Sequence, residues 1–318
     1  MPPIARTVSV AFALCVCLAM SALVIGAQTP TPVRVAVLDF GESPTGVHAA
    51  EKVREALRTD KLALENGLTV LDRNLVLAAA LGNGYQGSLN LTTQEARDMG
   101  AAIGCDFFII GNAETVKRSP SNGEDYFESY AVFFIVSART GQLVWWQRPA
   151  ERRETPEEAE MVLLKTLLSG EANRYRVLIL RAFKDEAAAR AATVESPPAT
   201  IEVMSDDDHG KGDTSAPRPY RRLKPAYAEA AAQAEVEATV DVLCDIDAHG
   251  EISNIQVARW AGYGLDQTVL DTVKQMHFFP AMRDGVPIPM RVLLRYNFQR
   301  KTPDKPPVKP LKIPHPTD

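Results

Sequence analysis

Residues 236–246 read Val-Glu-Ala-Thr-Val-Asp-Val-Leu-Cys-Asp-Ile, and their alternation decides what the C-terminal part of the chain can be. Successive side chains of a strand point to opposite faces, so Val236, Ala238, Val240, Val242, Cys244 and Ile246 share one apolar face. Asp247-Ala248-His249-Gly250 supplies a turn, and Ile252–Arg259 completes a hairpin. Leu265, Val269, Val273 and Met276 then mark one face of a helix. Met290–Phe298 alternates again, with Met290, Val292, Leu294, Tyr296 and Phe298 inward and Arg291, Leu293, Arg295 and Asn297 outward. Residues 218–300 therefore predict a small β-β-α-β domain whose sheet offers one face to its helix.

Upstream, residues 193–217 lose all periodicity. They hold Pro197-Pro198 and six acids (Glu195, Glu202, Asp206, Asp207, Asp208, Asp213) against one Lys211. Such a stretch buries too little apolar surface to offset its ordering entropy and reads as a disordered acidic linker. Residues 32–192 have the alternation of an α/β domain in the order β-α-β-α-β-β-β-α. Val33–Phe40 is a buried strand and Val47–Leu57 a helix. Leu68–Leu71 is a second strand, and Leu75–Leu81 a short helix. Thr92 and Glu95 form a capping box; Phe107–Val116 is a strand. Tyr130–Ser137 and Leu143–Arg148 make a hairpin, and a long helix opens at Pro156 and runs toward Ala192. The fold class expected is a mixed α+β and α/β chain of two domains, the first a three-layer-like α/β domain with a mixed sheet. Residues 301–318 form a Pro-rich tail suited to polyproline II.

Residues 1–27 set the compartment. Arg6 precedes the uncharged run Val8–Ala27, and small residues lead into Gln28. This is the order of an export signal, and also long enough to be an N-terminal membrane anchor. Under either reading the rest of the chain is exported to the periplasm or cell envelope. Without the signal, Cys105 and Cys244 remain, and both are expected as free thiols, since Cys244 falls on an apolar register. A net charge of −5 argues against nucleic acid as partner.

Signals for chemistry are weak, and no catalytic residue, metal or cofactor is expected. Gly82-Asn83-Gly84-Tyr85-Gln86-Gly87 fits G-x-G-x-x-G, but it follows a helix instead of opening one, so a loop is expected. Asp39, at the end of the first strand, reads as a turn or capping residue. His48, His209, His249, His277 and His315 are dispersed. Arg218, Arg221, Arg222 and Lys224 form a basic cluster, either a soluble lead-in or a contact for anionic envelope components such as peptidoglycan or lipid headgroups.

Residues 219–298 resemble the C-terminal domain of the TonB family. The likeness is carried by an ordered series: Pro225-Ala226-Tyr227, strand Val236–Ile246, Asp247–Gly250, Ile255-Gln256-Val257, Gly264-Leu265-Asp266, Phe279-Pro280-Ala281, Asp284–Pro287 and strand Arg291–Phe298. The glycine expected before the first strand is replaced by Ala234-Glu235. The resemblance implies a non-enzymatic envelope protein. Its last strand, exposing Arg291, Leu293, Arg295 and Asn297, would accept an extended peptide from an outer-membrane TonB-dependent transporter or another envelope protein. More faintly, residues 33–185 resemble CsgG and the N-terminal domain of TolB, through Val35–Phe40, Leu68–Arg73, Gly104-Cys105-Asp106 and Thr140–Val144. The alternative is a periplasmic adaptor that docks envelope proteins or peptidoglycan without energy transduction.

Overall fold

Burial on two faces governs the N-terminal sheet. Val33–Val37 (β1), Leu68–Val70 (β2), Phe107–Arg118 (β3), Tyr126–Ser137 (β4), Leu143–Gln147 (β5) and Ala150–Arg153 (β6) form one sheet of order β2-β1-β3-β4-β5, with β6 also pairing β4. Pairing is parallel around β1 and antiparallel from β3 onward. The computed structural model describes residues 32–59, 67–168, 171–195 and 214–300, and the segments 1–27 and 301–318 considered above lie outside them. The described residues from Val33 onward make one compact unit.

Val33, Val35, Val37, Phe107, Ile109, Phe133 and Ile135 line one face. They pack against Pro44–Thr59 (α1), Pro156–Leu168 (α4) and Glu171–Glu195 (α5). Phe133 stacks on Phe40 at 5.6 Å and meets Tyr175 edge-on at 5.3 Å. The opposite face, Ala36, Leu38, Phe108, Ile110, Val132, Phe134 and Val136, is covered in part by Arg73–Gly82 (α2) and Thr93–Ile103 (α3). Capping sets these helices. Asp72 accepts from Asn74 and Leu75 N–H, and the Thr92–Glu95 capping box is complete. Where one helix is expected from Pro156, the described residues form two, α4 and α5. Leu163 and Leu167 of α4 and Tyr175 and Ile179 of α5 all reach one core. The expected hairpin of β4 and β5 is present; β6 is an addition.

After α5, which extends through Glu195, description resumes at Thr214–Ser215 (β7), followed by Arg218–Pro219 (β8) and the short helix Glu229–Gln233 (α6). Residues 196–213 of the expected linker lie outside the described residues. Ala238–Ile246 (β9), Ile252–Arg259 (β10) and Met290–Phe298 (β14) form an antiparallel sheet of order β10-β9-β14. Leu265–Val273 (α7) packs on its inner face. Three short strands fill the stretch the sequence pattern leaves blank: Phe278–Phe279 (β11) pairs β8, while Ala281–Arg283 (β12) pairs Val286–Ile288 (β13) and β7. The expected strand from Val236 begins at Ala238, because Glu235 turns the chain at φ 51° and Val236 N–H bonds back to Ala231.

The remaining cover for Phe134 comes from this C-terminal region, so both sheets share one hydrophobic cluster. Trp260, 1% exposed, lies 5.7 Å from the Phe134 ring, and its Nε1–H donates to Gly141 O at 3.0 Å. Asn90 closes the seam, donating to Thr239 O and Trp260 O at 2.8 and 2.7 Å while accepting from Thr239 N–H. Gln142 donates to Val257 O at 2.9 Å. Gly262 has φ +72°, and a Cβ there would sit 2.1 Å from Phe134 Cε1. Only glycine allows both the left-handed turn and this approach.

Candidate peptide-binding edge

β14 is nine residues long and, among the described residues, pairs only with β9, leaving its other side as a sheet edge. Its inward set is as expected: Met290 and Phe298 are buried, while Val292, Leu294 and Tyr296 pack on the shared core. The outward set is less free than alternation implies. In register, Arg291 faces Asp245, Leu293 faces Leu243, Arg295 faces Asp241 and Asn297 faces Thr239. Arg291 donates to Asp245 at 2.5 and 2.8 Å, and Arg295 to Asp241 at 2.7 and 3.0 Å, both as two-pronged forks. Asn297 Oδ1 accepts from the Thr239 hydroxyl at 2.9 Å.

Asp241 and Asp245 are each 3% exposed although they belong to the outer face. Arg259 adds a second cation to Asp241 at 3.4 Å, and Asn254 donates to Asp245 at 3.0 Å. The Arg291 fork holds the Asp245 carboxyl below its usual range, outweighing the opposing effect of burial. Arg291 and Arg295 are thus pinned along the strand, and Leu293, 50% exposed, is the apolar side chain that rises from it. The unpaired N–H and C=O groups of an open edge are a template for an added strand.

The basic cluster lies elsewhere. Arg218 sits in β8 with its guanidinium 5.9 Å from the Phe279 ring, and Tyr220 meets Phe279 edge-on at 4.2 Å. Tyr220 and Phe279 are 60% and 52% exposed. Arg221, Arg222 and Lys224 are exposed, without an ion pair among the described residues.

Asp39 is not a capping residue. Its carboxylate takes Arg54 Nη2 at 2.6 Å and Arg73 Nε at 3.0 Å. Burial raises its pKa, but the two guanidiniums prevail and hold it below the usual value. The partners stand 15 and 34 residues away in sequence, so no local pattern marks them. Gly82 ends α2, Asn83–Gly87 is a loop, and the next helix begins only at Thr93. His48, His249 and His277 each face a single acid, Glu160, Asp247 and Glu251. Among the described residues no three His, Cys, Asp or Glu converge, and no helix is long and apolar enough to cross a membrane. Cys105 and Cys244 are buried free thiols, each pushed by burial up to about 12.

Sequence reasoning gave Asp266 a place in a motif but no role of its own. Its carboxylate accepts from Ala261 and Gly262 N–H at 2.8 and 2.7 Å, fixing the loop that carries Trp260, and burial raises its pKa to about 6. Its place after Gly264 at the start of α7 was the available signal.

A mixed six-stranded sheet and a three-stranded antiparallel sheet with β14 at one edge make a protein of mixed α and β content. Residues 224–299 match the family of the Gram-negative bacterial TonB protein C-terminal domain. Solved structures resemble parts of the chain. The TonB C-terminal domain of Pseudomonas aeruginosa is 22% identical, covering 33% of this chain and 99% of that one, with a TM-score of 0.25. The LpoB C-terminal domain of Salmonella enterica is 16% identical, covering 42% and 92%, with a TM-score of 0.27. The hypothetical protein CT253 of Chlamydia trachomatis is 9% identical, covering 45% and 96%, with a TM-score of 0.31. Among curated proteins no sequence matches. The likeness of the C-terminal region to the TonB domain rests on the family match.

Proposed function

We propose that this is a non-enzymatic, exported protein of the cell envelope whose TonB-like region receives an extended peptide on β14 by strand addition. The peptide would come from an outer-membrane TonB-dependent transporter or another envelope protein. In this reading residues 32–192 are a CsgG/TolB-like platform that carries the binding region. The observation that supports it is the open edge of β14, with Leu293 raised between two pinned arginines. Main-chain bonds would provide affinity, and alternate side chains the specificity.

Adjacent residues of a strand aim their N–H groups at opposite edges, which gives a paired test. Of Leu293→Pro and Leu294→Pro, one removes a donor from the ladder with β9 and the other a donor from the open edge. The expected outcome is one poorly folded variant and one folded variant that no longer binds peptides from transporter N-termini. Leu293→Ser is the backbone-neutral control; Arg295→Glu is not neutral, because it sets a carboxylate against Asp241. A folded proline variant that binds as tightly as the parent overturns the reading. The second reading, an adaptor docking on anionic envelope surfaces such as peptidoglycan, is favoured by the exposed Tyr220–Phe279 pair beside Arg218, Arg221, Arg222 and Lys224.

A further inference from the structure

The β4 face that carries Phe134 changes character toward the strand's start. At the same parity come Val132, Tyr130, Glu128 and Tyr126, with Arg118 of β3 opposite Tyr126 and Arg152 of β6 opposite Glu128. The C-terminal region faces this stretch with Gln233, Ala234, Glu235 and Tyr263 but does not fill it. A cleft of about 580 Å³ remains, within the range of small-molecule sites.

Its charges are unequally matched. Glu128, 8% exposed at its side chain, holds Arg118 at 3.0 Å and Arg152 at 3.7 Å. Glu235 is held by Arg300. Arg148, half-buried in the same wall, has no carboxylate partner among the described residues. Its guanidinium instead stands 4.6 Å over the Tyr130 ring, as Arg152 stands 5.2 Å over Tyr126. A half-buried guanidinium without an anion forgoes the pairing its planar fork is shaped for.

Backbone strain points to the same place. Of the three non-glycine residues with positive φ among the described residues, Glu235 (51°) and Tyr263 (53°) both line this cleft, and Asp284 belongs to a turn. Each costs roughly 1–3 kcal/mol, and such residues gather at ligand sites.

We propose that this cleft binds a small polar ligand bearing one oxyanion, a carboxylate or a phosphate, which Arg148 takes while the tyrosines pack its body. The site is separate from the β14 edge, and its test is independent of that reading. The full chain is titrated with glucuronate, glucose 6-phosphate and, as the neutral control, glucose, by calorimetry and by amide chemical-shift mapping. One anionic probe should bind saturably in the millimolar range, shifting amides at Arg148, Tyr130 and Tyr263; which one binds distinguishes carboxylate from phosphate. Arg148→Gln should weaken it about tenfold or more, and Arg148→Lys less, without changing peptide binding at β14. The proposal is overturned if neither anion binds up to tens of millimolar, or if glucose binds as tightly. It is equally overturned if shifts map away from the cleft, or if folded Arg148→Gln binds like the parent. The mapping on the unaltered chain decides the matter should that variant fail to fold.

Discussion

Phe134 and Leu293 stand on two sheets of the same chain, each at the middle of a strand, with opposite fates. Phe134 is fully buried because a second region of the chain lies over it; Leu293 is 50% exposed because nothing described covers β14. The β4 run Ala131-Val132-Phe133-Phe134-Ile135-Val136 is apolar at both parities, as a strand covered on both faces must be. β14 alternates, as a one-sided strand does, and its outer face is held by charge pairs in place of a core. A face closed by packing tolerates little change, whereas a face closed by ion pairs leaves the edge beside it open.

The largest expected effect breaks the closed side. Trp260→Ala removes the indole between the regions and should cost roughly 3–5 kcal/mol, lowering Tm by roughly 10 °C. The chain has three tryptophans, so the remaining Trp145 and Trp146 both report β5 of the N-terminal sheet. Their fluorescence midpoint should fall together with the circular-dichroism midpoint. If it stays at the parental value, the shared core does not couple the regions.

The pH dependence of Asp266 tests the same seam. Its pKa is raised from the ordinary 3.8 to about 6 in the folded chain, so the folded state binds more protons between those values. Stability from this residue therefore rises as pH falls from about 6 toward 4, by roughly 2 kcal/mol at most. Asp39, Glu95 and Asp245 run the other way. Their carboxyls are held low, and that stability is lost as pH falls from around 4 through their folded values. Asp266→Asn should flatten the rise between pH 6 and 4 in chemical denaturation and leave the acid limb unchanged; an unaltered profile refutes the assignment.

On the open side, Arg291→Glu places a carboxylate against Asp245 and should cost roughly 1–2 kcal/mol. Exchanging the pair, with Asp245→Arg added, should restore most of that loss if the ladder is electrostatic; no recovery would mean that packing alone sets the cost. Leu293→Ala should fall within about 0.5 kcal/mol of the parent, as surface substitutions usually do. The smallest perturbation is chemical labelling. Cys105 and Cys244 should resist a thiol reagent at neutral pH when folded and both react after unfolding without reductant. A single reactive thiol in the native chain would show that the shared core opens locally.

Much of the fold was legible because its signals are local. Alternation at Val240–Ile246 and Met290–Phe298, the helical face Leu265–Val273 and the capping box at Thr92 each act within a few residues, and each became the expected element. The TonB-like series was legible for the same reason: its turns and strands follow one another in order. The strands β11–β13 were not legible because strands of two or three residues carry no period.

The candidate edge was legible as a strand and not as a surface. Alternation assigns Asp241 and Asp245 to the outer face, where solvent is the default; only the register against Arg295 and Arg291 buries them. Asp39, meeting Arg54 and Arg73, follows the same rule, as does Asn90, which spans 149 and 170 residues to reach Thr239 and Trp260. By itself the sequence determined the long strands, most helices, the Thr92 cap and the TonB likeness of residues 219–298, since these depend on neighbours in the chain. Tertiary structure alone decided that the loop after β10 covers Phe134, that β14 lies at a sheet edge among the described residues, and that Arg148 faces a cleft without a described counter-charge. Those outcomes depend on which distant side chains meet, and distance along the chain does not encode that.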